Sequence, residues 1–212
     1  MNRDRVCVGK NSYARELSFD PLDFLKSRIE TQGQAAWLDL CCGRGRALIE
    51  AAEALAPYSS ESNLKLLGVD LVAMFDSYSP ALNFIHLQES SVSSWRSDRL
   101  FDLITCVHGL HYIGDKLGLI RTAVSWLKED GVFLANLDPD NLKFPDGASA
   151  GNKIIRDLRK IGFDYQARKH LIVCKRKKDF TLNYRYLGAD DDAGPNYTGQ
   201  AAVNSHYGLL EV

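Results

Sequence analysis

The chain has 212 residues and a mass of 23.7 kDa, with 45% hydrophobic residues, 25% charged residues and a formal net charge of -1. This composition excludes general disorder, and the length suits a single folded domain with one core. Because nucleic acids and anionic membranes usually select a large positive excess, we expect no nucleic acid and no membrane as partner, and a small molecule instead.

The five cysteines predict free thiols in a reducing compartment. They are odd in number and lack framework spacing, and the adjacent Cys41 and Cys42 are poorly placed to bridge each other. No CxxC pair or His-rich tract is present, so no metal site is predicted. Residues 1–13 lack the apolar core of a signal peptide, and no run of about 18 apolar residues occurs, so we expect a cytoplasmic protein.

The first half of the chain alternates short apolar strands with amphipathic helices. Asp20 before Pro21 predicts the start of a helix that continues to Ile29. The further predicted elements are strands at 35–40, 64–69, 84–87, 101–107 and 132–137, helices at 46–55, 71–78 and 117–127, and a turn at 128–131. This alternation is typical of an α/β fold, with a mostly parallel, doubly wound sheet covered on both faces.

The pattern changes after Asp138. We predict a helix over 154–161, ended by Gly162, and then strands over 163–168 and 171–176 that form a C-terminal antiparallel hairpin. Residues 187–212 show no periodicity, yet their aromatic and Asn content predicts an ordered tail near the site. We expect one domain over 1–212, divided into an N-terminal helical lid (1–34), a core (35–178) and a C-terminal extension (179–212).

A Gly-rich turn follows the first predicted strand and directly precedes a helix. It has the sequence Asp39-Leu40-Cys41-Cys42-Gly43-Arg44-Gly45, in which the two glycines allow a sharp bend and a close approach by a ligand. Ligands of open parallel sheets bind beside the carboxyl ends of the strands. A glycine pair alone is equally compatible with a tight βα turn that binds nothing.

A carboxylate at the end of the second strand adds to this pattern. Asp70 lies 31 positions after Asp39, where a carboxylate can accept hydrogen bonds from ribose hydroxyls, although a lone Asp at a strand end is more often a helix cap. A dinucleotide site requires a third glycine, but Leu48 occupies that position, and no P-loop lysine is present. The two features together therefore indicate a nucleoside other than a dinucleotide or a triphosphate.

The sequence D-x-C-C-G-x-G over residues 39–45 resembles the first motif of the class I S-adenosylmethionine-dependent methyltransferases, and the resemblance extends from about Ala35 to Lys177. It implies a Rossmann-like methyltransferase fold, a transferase activity, S-adenosylmethionine as cofactor and S-adenosylhomocysteine as product. The more common form of the motif has glycine in place of Cys41. Trp126–Gly131 is similar to the family's turn before the fifth strand.

The resemblance also implies roles for individual residues. Asp39 would anchor the methionine amino group directly or through water, and Asp70 would hold the ribose hydroxyls. Ser91 aligns with an acidic residue that the family often uses for adenine, so its hydroxyl or the Val92 amide would replace that contact. The full set of cofactor-binding residues expected is Asp39, Cys41, Cys42, Gly43, Gly45, Asp70, Leu71, Ser91, Val92 and Cys106.

The substrate pocket is expected to involve Tyr13, His108, His111 and Tyr112. The segment from His108 to Tyr112 is similar to the loop from which family members draw substrate contacts, and Tyr13 lies in the N-terminal segment that commonly covers the site. Histidine suits a general base because its reference pKa is about 6.5, so His111 and then His108 are the candidates. A loop histidine beside aromatic residues is also often only a packing residue.

The leading functional hypothesis is methyl transfer to a small-molecule acceptor, such as a specialised metabolite. A peptide or other macromolecular acceptor is an alternative, and a non-catalytic cofactor-binding protein is another, because fold does not fix function. Two charged runs, 175–178 and 190–192, are more typical of solvated surface than of binding sites. The sequence leaves the acceptor atom and the oligomeric state open.

Overall fold

A computed structural model describes residues 4–60 and 63–210. The predicted domain of 1–212 therefore includes residues 1–3, 61–62 and 211–212, which lie outside the described residues. The helices are α1 (Tyr13–Leu17), α2 (Pro21–Gln32), α3 (Arg46–Leu55), α4 (Lys116–Ser125) and α5 (Gly151–Lys160). The strands are β1 (Ala35–Leu40), β2 (Leu64–Asp70), β3 (Ile85–Glu89), β4 (Phe101–Cys106), β5 (Leu127–Asn136), β6 (Leu142–Lys143), β7 (Asp164–Gln166), β8 (Leu171–Lys175), β9 (Tyr184–Asp190) and β10 (Asn204–Leu209).

Within these described ranges, seven strands form one sheet in the order β3-β2-β1-β4-β5-β8-β7. The five strands β1 to β5 pair in parallel, whereas β8 is antiparallel to both β5 and β7. The chain moves outward from β1 to β3 and then returns to place β4 on the other side of β1. This reversal of direction leaves a crevice at the carboxyl ends of β1 and β4, where ligands of such sheets bind. The predicted parallel sheet with a C-terminal antiparallel hairpin is confirmed.

Both faces of the sheet are buried. One face packs with α2 and α3 around Trp37 and Leu48, and the other packs with α4 and α5 around Ile120 and Ile154. All six residues of β1 and all six of β4 are buried, as expected for central parallel strands. Local sequence sets the ends of several elements: the side chain of Asp20 accepts hydrogen bonds from the first turn of α2, which was predicted.

The predicted helix over 71–78 is absent, and this segment has no regular secondary structure. Asp76 is held by tertiary contacts instead, since its carboxylate accepts hydrogen bonds from Arg44 and Arg46 and its amide donates to the Arg44 carbonyl oxygen at 3.0 Å. The side chain of Asp70 also accepts a hydrogen bond from the Val72 amide at 3.2 Å. These contacts hold the segment against the start of α3. A helix over 71–78 would not place Asp76 and Val72 in position to make them.

Two other expectations need correction. The predicted turn over 128–131 lies inside β5, because β5 already pairs with β4 at Leu127 and the register then shifts before Val132. The tail, predicted to lack periodicity, contains β9 and β10, which form a second sheet with β6 in the order β6-β10-β9. Its strands were not visible in the sequence because this sheet is stabilised by pairing with distant residues and not by alternating burial.

Candidate functional site

A cavity of about 500 Å³ opens at the carboxyl ends of β1 to β4. Its volume lies within the range of about 300–1,000 Å³ that is typical of small-molecule sites. The predicted residues that line it are Cys41, Gly43, Asp70, Leu71, Ser91, Val92, His108 and Tyr112. The strand exits on both sides of the crevice therefore contribute to one cavity, as the fold predicts.

The turn after β1 forms one wall of this cavity. Cys41, Gly43 and Gly45 all have positive φ angles, of 59°, 60° and 75°. A Cβ atom on Gly45 would lie 2.5 Å from a methyl carbon of Leu87, so another residue here would have to displace the Leu87 side chain and adopt a left-handed backbone. Cys41 adopts the left-handed conformation without being glycine, which costs about 1–2 kcal/mol.

Asp70 is fixed at the cavity wall by the backbone. One of its carboxylate oxygens accepts a hydrogen bond from the Gly43 amide at 2.7 Å, and the other accepts from the Val72 amide. An ionised carboxylate offers about four acceptor positions, so about two remain for a ligand. This arrangement fits the two hydroxyl groups of a ribose.

The apolar and small polar residues after β2 and β3 complete the wall beside Asp70. Leu71, Ser91 and Val92 line the cavity, and the exposed side chain of Leu71 provides an apolar surface. A flat, partly polar base fits between such groups. The carboxylate, the glycine turn and this apolar wall together fit an adenosine group.

Asp39 lies behind the turn and does not line the cavity. It is completely buried, and its two carboxylate oxygens accept hydrogen bonds from Thr105 Oγ1 at 2.6 Å and from Tyr13 Oη at 2.7 Å. Burial raises the pKa of Asp39 to about 7, although both hydrogen bonds act in the opposite direction. The structure thus places Asp39 in a hydrogen-bonded network behind the turn, and its contact with the methionine amino group, directly or through water, stays a prediction.

Tyr13 belongs to the same buried network. Its ring packs edge-on against Trp37, whose indole nitrogen donates a hydrogen bond to Thr105 at 2.8 Å. The Tyr13 side chain, expected in the substrate pocket, does not line the cavity. It connects the N-terminal segment to the end of β1.

Cys42, Gly45 and Cys106 also lie outside the cavity lining. The Cys42 side chain packs into the core on the α3 face of the sheet, where burial raises the pKa of its thiol. The Cys106 thiol is buried against Cys41, and a hydrogen bond with Cys41 and burial both raise its pKa. These residues support the turn from behind.

The two candidate histidines differ in position. His108 lines the cavity, and its Nε2 lies 3.0 Å from Glu16 Oε1 and 3.1 Å from Arg5 Nη2. His111 is fully buried behind it, with its Nε2 3.4 Å from His108 Nδ1. Burial and the neighbouring His108 lower the pKa of His111 to about 3, so His111 is neutral near pH 7.

The tail brings residues to the site that sequence reasoning did not name. Gln200 lines the cavity and accepts a hydrogen bond from Tyr112 Oη at 2.7 Å. Tyr197 places its hydroxyl 3.4 Å from His108 Nδ1 and stacks on His170 with 4.0 Å between the ring centroids. The signal for them was the aromatic and Asn content of the tail, which predicted order near the site without identifying residues. The cavity lining also includes Val72, Ser93, Val107, Gly109, Ile113 and Gly114.

Two negative findings concern residues 4–60 and 63–210, which the structure describes. Among them, no group of three or more His, Cys, Asp or Glu side chains is arranged to hold a metal ion. Across the same residues, no helix has the length and apolar character needed to cross a membrane.

The strand order and the reversal of direction between β1 and β4, with a cavity at the carboxyl ends of these strands, are those of the Rossmann-like methyltransferase fold. Residues 11–172 match the family model for a methyltransferase domain. The chain therefore belongs to this methyltransferase family. No curated protein matches the chain by sequence.

Solved structures similar to this chain include several methyltransferases. One, from Listeria monocytogenes and assigned as an S-adenosylmethionine-dependent methyltransferase, is 16% identical over 86% of this chain and 74% of its own, with a TM-score of 0.44. Another, from Clostridium acetobutylicum, is 24% identical over 57% and 49% of the two chains, with a TM-score of 0.36. An amino pentose methyltransferase from Micromonospora echinaspora is 20% identical over 66% and 54%, with a TM-score of 0.40.

This chain spans less than two thirds of the length of several of the structures that it matches. It covers 34% of a coclaurine N-methyltransferase and 43% of a plantazolicin methyltransferase.

Proposed function

We propose that this protein transfers the methyl group of S-adenosylmethionine to an oxygen or nitrogen atom of a small molecule, with His108 as general base. The observation that carries the proposal is the contact of His108, a residue of the cavity wall, with the carboxylate of Glu16 at 3.0 Å. The same Nε2 also faces the guanidinium of Arg5, so the two contacts together fix the orientation of the imidazole. Histidine is the side chain used most often as a general base, so His108 is the candidate to take up the proton that an acceptor releases.

The cofactor would be held by the residues that line the cavity. Asp70 would accept hydrogen bonds from the ribose, Leu71 and Val92 would contact the adenine, and the backbone of Cys41 and Gly43 would lie along the methionine part. When bound, S-adenosylmethionine supplies a methyl group that its positive sulfonium makes electrophilic. The protein's own contribution is then to orient the acceptor and to exclude water.

Glu16 has the properties of a residue that orients His108. The hydrogen bond from His108 is the largest cause that lowers the pKa of Glu16, and Arg5 acts in the same direction. Glu16 is thus ionised near neutral pH. The amide of His108 also donates a hydrogen bond to Asn136 Oδ1 at 3.1 Å, which fixes the backbone at the base.

The enclosure of the site favours a small acceptor over a macromolecule. The N-terminal segment reaches His108 through Arg5 and Glu16, and the tail reaches it through Tyr197. Gln200 of the tail also lines the cavity. A folded polymer would have to displace both segments. A small molecule needs only part of the space between them.

The first experiment measures the binding of S-adenosylhomocysteine by calorimetry and the transfer of radioactive methyl groups into a small-molecule extract and a polymer fraction. We expect label in the small-molecule fraction. His108→Gln should reduce transfer by about 10²–10⁴-fold, the usual contribution of a general base, while cofactor affinity stays within about threefold. Glu16→Gln should cause a smaller loss.

His86→Gln is the matched control, because His86 is exposed on β3, away from the cavity lining. It should leave transfer unchanged. Equal rates for His108→Gln and the wild-type protein would refute the assignment of the base. Label confined to the polymer fraction would refute the small-molecule acceptor.

A further inference from the structure

A second cavity, of about 420 Å³, lies between the N-terminal segment, α1 and the connection from β7 to β8. Its lining is strongly basic, with five cationic side chains and one carboxylate, that of Glu16. The cationic residues are Arg5, Lys10, Arg15, Arg168 and Lys169. In a chain with a net charge of -1, this is a local concentration of positive charge.

The single carboxylate is already engaged. Glu16 lies 3.0 Å from His108 Nε2 and 3.4 Å from Arg5 Nη1. It therefore compensates part of the positive charge of Arg5, and Lys169 also interacts with it electrostatically. No other acidic residue lines the cavity, so Lys10, Arg15 and Arg168 have no carboxylate in the lining.

Two of these cations are positioned by neutral groups. Lys169 Nζ donates hydrogen bonds to the Arg15 carbonyl oxygen at 3.0 Å and to the Ser18 hydroxyl. Arg15 Nη1 donates to the Lys10 carbonyl oxygen at 3.4 Å. These contacts connect α1 to the β7–β8 connection and supply no negative charge, because carbonyl and hydroxyl oxygens carry no net charge.

This second cavity, called the basic cavity below, lies beside the cavity at the carboxyl ends of β1 to β4, called the cofactor cavity below. Tyr197 lines the basic cavity and His108 lines the cofactor cavity, with 5.9 Å between their ring centroids. Tyr197 is held in place by its stack on His170. Arg5, Glu16 and Tyr197, which line the basic cavity, thus all contact His108.

We propose that the basic cavity binds an oxyanion group of the acceptor, a carboxylate or a phosphate, so that the substrates are acidic small molecules. This inference rests on the proposed function, because it assigns one end of the acceptor to the basic cavity and the methylated atom to the neighbourhood of His108. The planar guanidinium group of Arg168 matches the geometry of carboxylate and phosphate oxygens.

In the test, the protein is first saturated with S-adenosylhomocysteine. Sodium phosphate or, separately, sodium succinate is then titrated into it. Ionic strength is kept constant with sodium chloride, and the melting temperature reports binding, because a ligand selective for the folded state raises it. The two anions distinguish a phosphate site from a carboxylate site. Each titration is repeated without S-adenosylhomocysteine.

The variant for this test is Lys10→Gln/Arg168→Gln. Within the part of the chain that the structure describes, these two side chains make no hydrogen bond or ion pair, so the fold should tolerate the change. The charge-matched control is Lys175→Gln/Lys177→Gln. Lys175 pairs with Val132 of β5, toward the end of the sheet opposite to the site.

We expect at least one anion to bind saturably to the wild-type and control proteins, with a dissociation constant about tenfold higher in Lys10→Gln/Arg168→Gln. Affinity for S-adenosylhomocysteine should not change. Absence of saturable binding by both anions, or equal weakening in the two double variants, would overturn the inference. If the wild-type protein does not bind S-adenosylhomocysteine, the proposed function is overturned instead. The titrations made without S-adenosylhomocysteine would then still report on the anion site.

Discussion

The contact between the β1 exit turn and the β4 exit loop gives a quantitative prediction through Gly109. A Cβ atom at this position would lie 2.5 Å from Cys41 Cβ, 2.8 Å from Cys41 Sγ and 2.7 Å from Cys106 Sγ. Real Cβ atoms do not approach other atoms this closely, so Gly109→Ala must displace the turn or the loop. Overpacking of this kind costs about 1–3 kcal/mol, and we expect about 2 kcal/mol here.

The same geometry predicts a specific rescue. Cys41→Gly removes two of the three clashing atoms and relieves the left-handed backbone at φ 59°, although glycine adds about 0.5–1 kcal/mol of conformational entropy to the unfolded chain. We expect Cys41→Gly alone to be nearly neutral. In that background Gly109→Ala should cost only about 1 kcal/mol, because Cys106 still clashes with the new methyl group.

The assay is urea unfolding of the wild-type protein, both single variants and the double variant, with calorimetric titration of S-adenosylhomocysteine for each. Gly109→Ala should also weaken cofactor binding, because Cys41 and Gly109 both line the cofactor cavity. Distant sites add within about 0.5 kcal/mol, so a Gly109→Ala cost that is equal in both backgrounds within that margin would refute the clash with Cys41.

Three further predictions concern two carboxylates, Asp70 and Asp39, and the buried amine of Lys116. Asp70→Ala should weaken S-adenosylhomocysteine binding at least tenfold by calorimetry, with Asp98→Ala as exposed control; equal affinities would contradict the ribose assignment. Burial raises the pKa of Asp39 to about 7, so between pH 5 and 7 the folded state keeps a proton that the unfolded state has lost. The free energy of unfolding, measured in urea, should therefore fall by on the order of 1 kcal/mol for each unit of rising pH in this range. Asp39→Asn should lack this slope, and an unchanged slope would contradict the assignment. The buried Lys116 amine donates a hydrogen bond to the Val203 carbonyl oxygen at 2.8 Å. Lys116→Met should therefore lower the free energy of unfolding by about 2–3 kcal/mol and speed proteolysis of the tail. Proteolysis of the variant at the wild-type rate would argue against this anchor.

The fold was predictable where local signals are strong. The bounds of β1 and α3 agree with the sequence pattern, because an apolar run, a pair of glycines and an amphipathic stripe are properties of neighbouring residues. The motif from Asp39 to Gly45, together with Asp70, likewise indicated the nucleoside site through residue types and their spacing alone. These features do not depend on distant parts of the chain.

The tertiary structure decided what distant residues do to a segment. The helix predicted over 71–78 is replaced by an extended path, because Asp76 pairs with Arg44 and Arg46 from another element. The strands of the tail exist only because β10 pairs with β6 and β9. No local pattern encodes such partners.

Within the site, neighbouring residues differ in whether the sequence or only the tertiary structure decides their position. The sequence by itself predicted which motif would bind the cofactor, because glycines and carboxylates at fixed spacing carry that chemistry. Only the tertiary structure separated Cys41, at the cavity, from Cys42, in the core, and placed His108 at the cavity with His111 behind it. Adjacent side chains point in directions set by backbone angles and packing, and the Glu16 contact of His108 spans 92 residues of sequence.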